Sequence, residues 1–238
     1  CINCQRTLPY LESWYEKYKD KGLVIIGVHA PEFEFEKKAD NVANAIKDFG
    51  LTYPVVQDNN FATWRAYNNS YWPAKYLIDK DGNIRYTHFG EGSYDETEKV
   101  IQELLKETGA TVETKIDNPK YEVMTRTPET YLGTKRSDPY SKIIKFDYKW
   151  EFSEEYASPQ QGSSLTLDFE AKDVFLVMTH PVNSTSVIKV FIDGEPTHPV
   201  MVDGDGLYQI VKLDKPGKHQ LLLRFGDGQT RLFAFTFG

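Results

Sequence analysis

The two cysteines of the chain, Cys1 and Cys4, are separated only by Ile2 and Asn3. Thiols at that spacing fit one turn of a helix. The turn brings the sulfurs within bonding reach, while its unpaired amide N–H groups and the helix dipole favour a thiolate. The chemistry is dithiol–disulfide exchange: Cys1, at the exposed start, is the nucleophile, and Cys4, one turn in, resolves the mixed disulfide. Zinc is the competing use of such a pair. A structural zinc site needs two further ligands, but there is no third cysteine, and His29, His88, His180, His198 and His219 show no paired ligand spacing.

The elements that must hold the pair can be read from hydrophobic periodicity. Leu8, Leu11, Trp14, Tyr15 and Tyr18 recur at helical spacing from Gln5 to Asp20, which makes a helix entered at Cys4 and ended by Gly22. Pro9 lies inside it and should bend it. Leu23 to Val28 is a continuous apolar run, the pattern of a strand covered on both faces. Pro31 and the acids Glu32, Glu34 and Glu36 open a second helix, with Ala39, Val42, Ala43, Ile46 and Phe49 on one side and Gly50 as its stop. Short strands follow at Tyr53 to Val56 and Lys75 to Ile78, with a helical turn or two at Phe61 to Tyr67 between them. Asp81-Gly82 turns the chain into Ile84 to Phe89, and an amphipathic helix runs from Glu96 to Thr108. Helices alternating with buried strands describe an α/β layered domain. Trp14 and Trp64 read as core residues.

After about Thr111 the helical periodicity stops, and a stretch rich in Thr, Pro, Tyr and Lys reads as a connector over 113–141. Beyond it come strands at Ile143 to Phe152, Ser164 to Phe169, Asp173 to Thr179, Val187 to Ile192, Tyr208 to Leu213, His219 to Phe225 and Thr230 to Phe237. Many are separated by Asp-Gly or Pro-Gly turns. That pattern is an antiparallel β-sandwich.

Composition sets the outer limits. The 238 residues, 40% hydrophobic and 26% charged, suit two modest globular domains. A net charge of -7, with 28 basic residues scattered among 35 acidic ones, has no footprint for nucleic acid. No apolar run approaches the roughly 18 residues of a membrane span. The chain opens at Cys1 with no initiator Met, which reads as a piece of a longer protein.

Cys1-Ile2-Asn3-Cys4 with Pro9 after it, the strand Leu23 to Val28, and Trp72-Pro73 directly before a strand together resemble a thioredoxin-like domain. The inserted region His29 to Val56 is similar to the TlpA and ResA branch of extracytoplasmic thiol-disulfide oxidoreductases. Gly27-Val28-His29-Ala30-Pro31-Glu32-Phe33, Tyr71-Trp72-Pro73-Ala74 and the ending Phe235-Thr236-Phe237-Gly238 resemble the C-terminal region of the DipZ family of cytochrome c biogenesis proteins.

The resemblance implies a thioredoxin-like domain at 1–112 and a β-sandwich at 142–238, the latter resembling a carbohydrate-binding module. Pro73 would be a cis-proline facing the disulfide, with Trp72 beside it pairing with an extended substrate segment. Glu32 occupies the place of a glutamate that lies near the cysteines and would shuttle a proton; its plain alternative is a first-turn acid favouring the helix dipole. The family's central strand, upstream of the first cysteine, is outside this chain, so an exposed apolar edge is expected beside Leu23 to Val28.

The implied partners are protein substrates with disulfides, apocytochrome c among them, and a membrane thiol carrier of the CcdA type as electron donor. The implied location is extracytoplasmic, tethered through a membrane region absent from this chain. No metal or organic cofactor is needed, because the cysteine pair itself carries two electrons. For the sandwich, Tyr131, Tyr140, Tyr148, Trp150, Tyr156 and Tyr208 are candidates for stacking on sugar rings, against the plainer role of cross-strand packing. Asp193, Asp203, Asp205 and Asp227 lie in Asp-Gly turns, a role that outweighs calcium binding.

Overall fold

The computed structural model describes residues 1–120, 125–137 and 142–238. The chain forms two compact units that divide between residues 121 and 122; Tyr140 lies outside the described residues.

The first unit is organised by helix α1 (Ile2–Tyr18). It begins earlier than the periodicity from Gln5 suggests, so Cys4 sits inside the first turn with Cys1 as the N-cap. Its buried stripe is Tyr10, Trp14 and Tyr18, rotated from the expected one because Tyr10 stacks flat on Tyr94 at 3.5 Å between ring centres. Leu8 and Tyr15 are only half-buried. Gly22, at φ 103°, ends the short 3-10 turn that follows, a conformation glycine adopts without a Cβ penalty.

Strand β1 (Gly27–His29) is next, then helix α2 (Ala39–Asp48), strand β2 (Val55–Gln57) and helix α3 (Ala62–Ala66). Strands β3 (Ala74–Ile78) and β4 (Ile84–Phe89) form a hairpin, and helix α4 (Tyr94–Glu107) follows. β1 pairs with β2 in parallel and β3 with β4 antiparallel, as two separate two-stranded sheets.

Two expectations are corrected here. The run Leu23 to Val28 is not a doubly covered strand: Val24 is 74% exposed and Ile26 59%, and only its last residues pair. Among the described residues β1 has a neighbour on one edge alone, and Val28 within it is also exposed. The exposed apolar edge expected there is present. The second helix does not start at Pro31. The Glu36 carboxylate turns back to accept the Glu32 amide at 2.6 Å, and the His29 ring bonds to Glu36 O at 3.0 Å. These contacts hold a loop and a 3-10 turn (Glu34–Lys37) until α2 starts.

α1 and α4 share one core with Ile101, Leu105 and Val112. Inside it Glu98 is fully buried. Its carboxylate accepts from the Tyr18 hydroxyl at 2.6 Å, Asn118 Nδ2 at 2.7 Å, Lys17 Nζ at 3.0 Å and Trp14 Nε1 at 3.2 Å. Burying a carboxylate is tolerable only when its lone pairs are satisfied in this way. Burial, followed by the neighbouring carboxylate, pushes the Tyr18 hydroxyl up to about 12.

The second unit is one sheet of ten strands, among the described residues, folded on itself. Its strands are β5 (Thr130–Tyr131), β6 (Ile144–Asp147), β7 (Trp150–Phe152), β8 (Ala157–Pro159) and β9 (Ser164–Thr179). They continue as β10 (Ser186–Ile192), β11 (Glu195–Pro196), β12 (Val200–Val202), β13 (Gly206–Phe225) and β14 (Arg231–Phe237).

Two pairs of expected strands are fused into β9 and β13, which pair along their lengths across a register shift between Lys212 and Gly217. In β9 the most deeply buried positions are Leu165, Leu167, Phe169 and Ala171, then Val174, Leu176 and Met178, with Val177 and Thr179 also buried near its end. The alternation changes parity mid-strand, which in sequence looks like an end and in space turns the other face inward. β6 flanks the first half of β9 and β14 the second, so the long strands serve both layers. The expected strand Ile143 to Phe152 is cut in two at Tyr148, whose φ of 69° is incompatible with a ladder.

Glu98→Ala removes the shared acceptor of Trp14, Lys17, Tyr18 and Asn118, and it should lower unfolding free energy by about 3 kcal/mol. Chemical denaturation checks this; a change near zero would mean the network adds nothing.

Candidate active site

Cys1 and Cys4 are joined in a disulfide, with their Cα atoms 5.3 Å apart, and both residues are half-buried. Cys1 Sγ accepts the Cys4 amide at 3.2 Å, and Cys1 O accepts the Gln5 amide at 3.1 Å. The sulfur therefore serves as the helix cap, using a donor that the helix itself leaves unpaired. The first turn of α1 contains no acidic residue, so nothing in it opposes a negative charge at that end.

The Trp72–Pro73 peptide bond is cis. Pro73 O accepts the Gly90 amide at 2.8 Å. Trp72 lies tilted on Trp64, 4.2 Å between ring centres, and its indole N–H donates to Ala30 O at 3.0 Å. That bond ties the Pro73 step to the loop carrying Glu32, which is half-buried and holds its amide against Glu36. Trp64 is thus not a core residue but a half-buried wall under Trp72. His29 is used structurally, through Glu36 O.

Residues 1–105 match the family model described as Redoxin, and residues 143–238 match the one described as Thioredoxin like C-terminal domain. The protein DipZ of Mycobacterium bovis is 35% identical over all of this chain, which spans 37% of that protein. The thiol-disulfide oxidoreductase ResA of Bacillus cereus is 33% identical over 44% of this chain and 57% of its own length. Among solved structures, the oxidized form of a thioredoxin-like protein is 28% identical over 45% of this chain and 72% of its own, with a TM-score of 0.42. The first unit is thus similar to thioredoxin-like thiol-disulfide oxidoreductases, and the whole chain to about a third of DipZ.

The contacts of α1 and of the Trp72–Pro73 step bring in residues that periodicity could not single out. Asp58 caps α3 by accepting the Trp64 amide at 2.8 Å and the Thr63 amide at 3.1 Å, which fixes the wall under Trp72. Burial works against its ionisation, but the amides of Trp64, Thr63 and Ala62 outweigh that and hold its carboxyl below the usual range.

Lys75 is 7% exposed. Its ammonium donates to Gly90 O at 3.0 Å and lies 5.5 Å from the centre of the Tyr94 ring. Burial pulls it down to about 8, with Glu91 opposing. Arg6, on α1 just past Cys4, pairs with Glu91 at 3.3 Å. Burial raises the Glu91 carboxyl above its usual range, and Arg6 opposes it. The available sequence signal was Gly90-Glu91-Gly92, a carboxylate between two glycines at a strand-to-helix turn.

On the sandwich most of the aromatic candidates are engaged. Tyr131 lies under Arg136 at 3.6 Å and bonds to Glu129. Tyr156 is covered by Arg231 and Phe233. Trp150 packs edge-on against Phe225, and the Tyr208 hydroxyl closes the turn at Gly204. Tyr148, 66% exposed, is the solvent-facing ring of the described candidates. Asp227 accepts the Gln229 amide two residues on, as turn residues do, whereas Asp193 accepts the Gln220 amide and lies 2.7 Å from the His219 ring, reaching across to β13.

With a folded pKa near 8 against about 10.4 in an unfolded chain, Lys75 binds fewer protons folded than unfolded between those values. Stability therefore rises with pH across that window. Relative to Lys75→Met, the wild type should gain stability from about pH 8 to 10.4; a pH-independent difference in denaturation midpoints would contradict this.

Proposed function

We propose that the chain reduces disulfides in extracytoplasmic protein substrates as a step of cytochrome c biogenesis, with residues 1–112 doing the chemistry and 142–238 forming the accessory sandwich. The observation that carries this is the closed, half-buried Cys1–Cys4 disulfide capping α1, a pair able to hold or release two electrons.

In the reducing direction the Cys1 thiolate attacks one sulfur of the substrate disulfide, forming a mixed disulfide and releasing the other sulfur as a thiolate, which takes up a proton. Cys4 then loses its proton and attacks Cys1 Sγ. The second substrate thiol leaves, and the Cys1–Cys4 bond closes. Two electrons pass to the substrate and the pair ends oxidised. A membrane thiol carrier of the CcdA type returns it to the dithiol, and apocytochrome c is the substrate that the DipZ relationship suggests.

Trp72 and Pro73 form the docking edge in this proposal, where an extended substrate segment lies alongside the Trp72 backbone. Glu32 handles the proton that Cys4 must lose, supported by the Trp72 to Ala30 bond that keeps its loop beside Trp72.

Reduction of insulin disulfides by the full-length protein tests the reading. Cys1→Ser and Cys4→Ser should abolish turnover, and Glu32→Gln should slow it while lowering the thiol pKa, because a like charge beside the thiolate is removed. Activity surviving both serine variants removes the proposal, and an unchanged pKa and rate in Glu32→Gln removes that residue from it. A midpoint potential near about -270 mV fits a reductant, whereas one near about -120 mV would reverse the direction.

A further inference from the structure

The redox helix and the Pro73 step belong to elements far apart in sequence, and one short segment, residues 88–94, bonds to both. On the helix side, Arg6 Nη1 lies 3.3 Å from Glu91 Oε1, with side chains 9% and 18% exposed. Buried Thr7 donates to the carbonyl of Asn3, between the two cysteines, at 2.9 Å, and its hydroxyl lies 3.3 Å from that of Tyr94. On the other side, the Gly90 amide donates to Pro73 O at 2.8 Å, and Gly90 O accepts from Lys75 at 3.0 Å. The His88 ring bonds back to Glu91 O at 3.1 Å, bracing the loop.

Two cations and a carboxylate in so enclosed a place cost desolvation that an apolar contact would avoid. What the ionic contact supplies is register: a guanidinium and a carboxylate hold one geometry, whereas packed methyl groups tolerate sliding. Exchange with a polypeptide requires the substrate sulfur to arrive in line with Cys1 while its backbone lies along Trp72. A displacement of about 1 Å between those two places costs about a hundredfold in rate. A small disulfide, free to approach the sulfur by itself, has no such requirement.

We propose that the Arg6–Glu91 ion pair, backed by Lys75, is a positioning clamp that sets the redox helix against the Trp72–Pro73 docking edge, and so governs turnover of polypeptide disulfides selectively. This rests on the docking reading given above. Arg6 and Glu91 are positioning residues: they act through Gly90 and the first turns of α1.

The test compares the full-length protein with Glu91→Gln, Arg6→Gln, the swapped pair Arg6→Glu with Glu91→Arg, and Trp72→Ala. Each is reduced with dithiothreitol and assayed on insulin and on dithiobis(nitrobenzoate). The clamp predicts that insulin kcat/KM falls about tenfold or more relative to that for the small disulfide in both single variants, and that the swap restores much of the ratio. Parallel loss on both substrates, or no loss on either, overturns it. Trp72→Ala separates the two readings. If it lowers the insulin ratio and the Glu91 and Arg6 variants do not, the clamp alone fails. If Trp72→Ala leaves the ratio unchanged, the docking reading fails as well.

Discussion

The amide donors at the start of α1 are the constraint on which the redox centre rests. A helix leaves its first N–H groups without partners inside the helix, and here Cys1 Sγ takes one of them. The same geometry brings Cys4 round to bond with Cys1. The end of the helix thus caps itself with its own reactive group. A thiolate released there meets amides and the positive end of the dipole, with no carboxylate in the first turn against it.

Keeping that end in place is the work of the rest of the α/β unit. Glu98 fastens the middle and end of α1 to α4 through Trp14, Lys17 and Tyr18. Tyr94 reaches nearer the cysteines, stacking on Tyr10 and meeting Thr7. Asp58 acts at a distance: by capping α3 it sets Trp64, and Trp64 supports the ring of Trp72. Glu98 and Tyr94 take their partners from a helix some 80 residues away, whereas Asp58 takes the amides of the turn that follows it. That mutual dependence is what makes such networks specific about geometry.

The sandwich obeys a different economy, one of alternation and closure. Its core is drawn from both halves of β9 and β13, and the parity change in β9 lets one strand face inward twice. Residues 125–137, read in sequence as part of a connector, contribute Leu132 to that core and pair β5 with β14. Residues 112–119 instead join the first unit, through Val112, Thr114 and Asn118. Neither stretch has helical or alternating periodicity, because each is held by scattered single contacts.

Sequence alone determined what depends on local order. The spacing of Cys1 and Cys4 within one turn, the stripe through Trp14 and Tyr18, the Asp81-Gly82 and Asp193-Gly194 turns and the change from helical to alternating texture are properties of neighbouring residues. Resemblance, rather than spacing, pointed to Trp72, Pro73 and Glu32. Only the tertiary structure decided the loop after β1, where Glu36 and His29 hold back the helix expected at Pro31. It alone fused the expected strands into β9 and β13, moved Trp64 from core to site, and joined Arg6 to Glu91. The fused strands and the Arg6–Glu91 pair are set by partners tens of residues away, and the loop and Trp64 by contacts four to eight residues off that no periodicity marks. In each case the pairing energy depends on burial and distance, and neither quantity exists until the chain has folded.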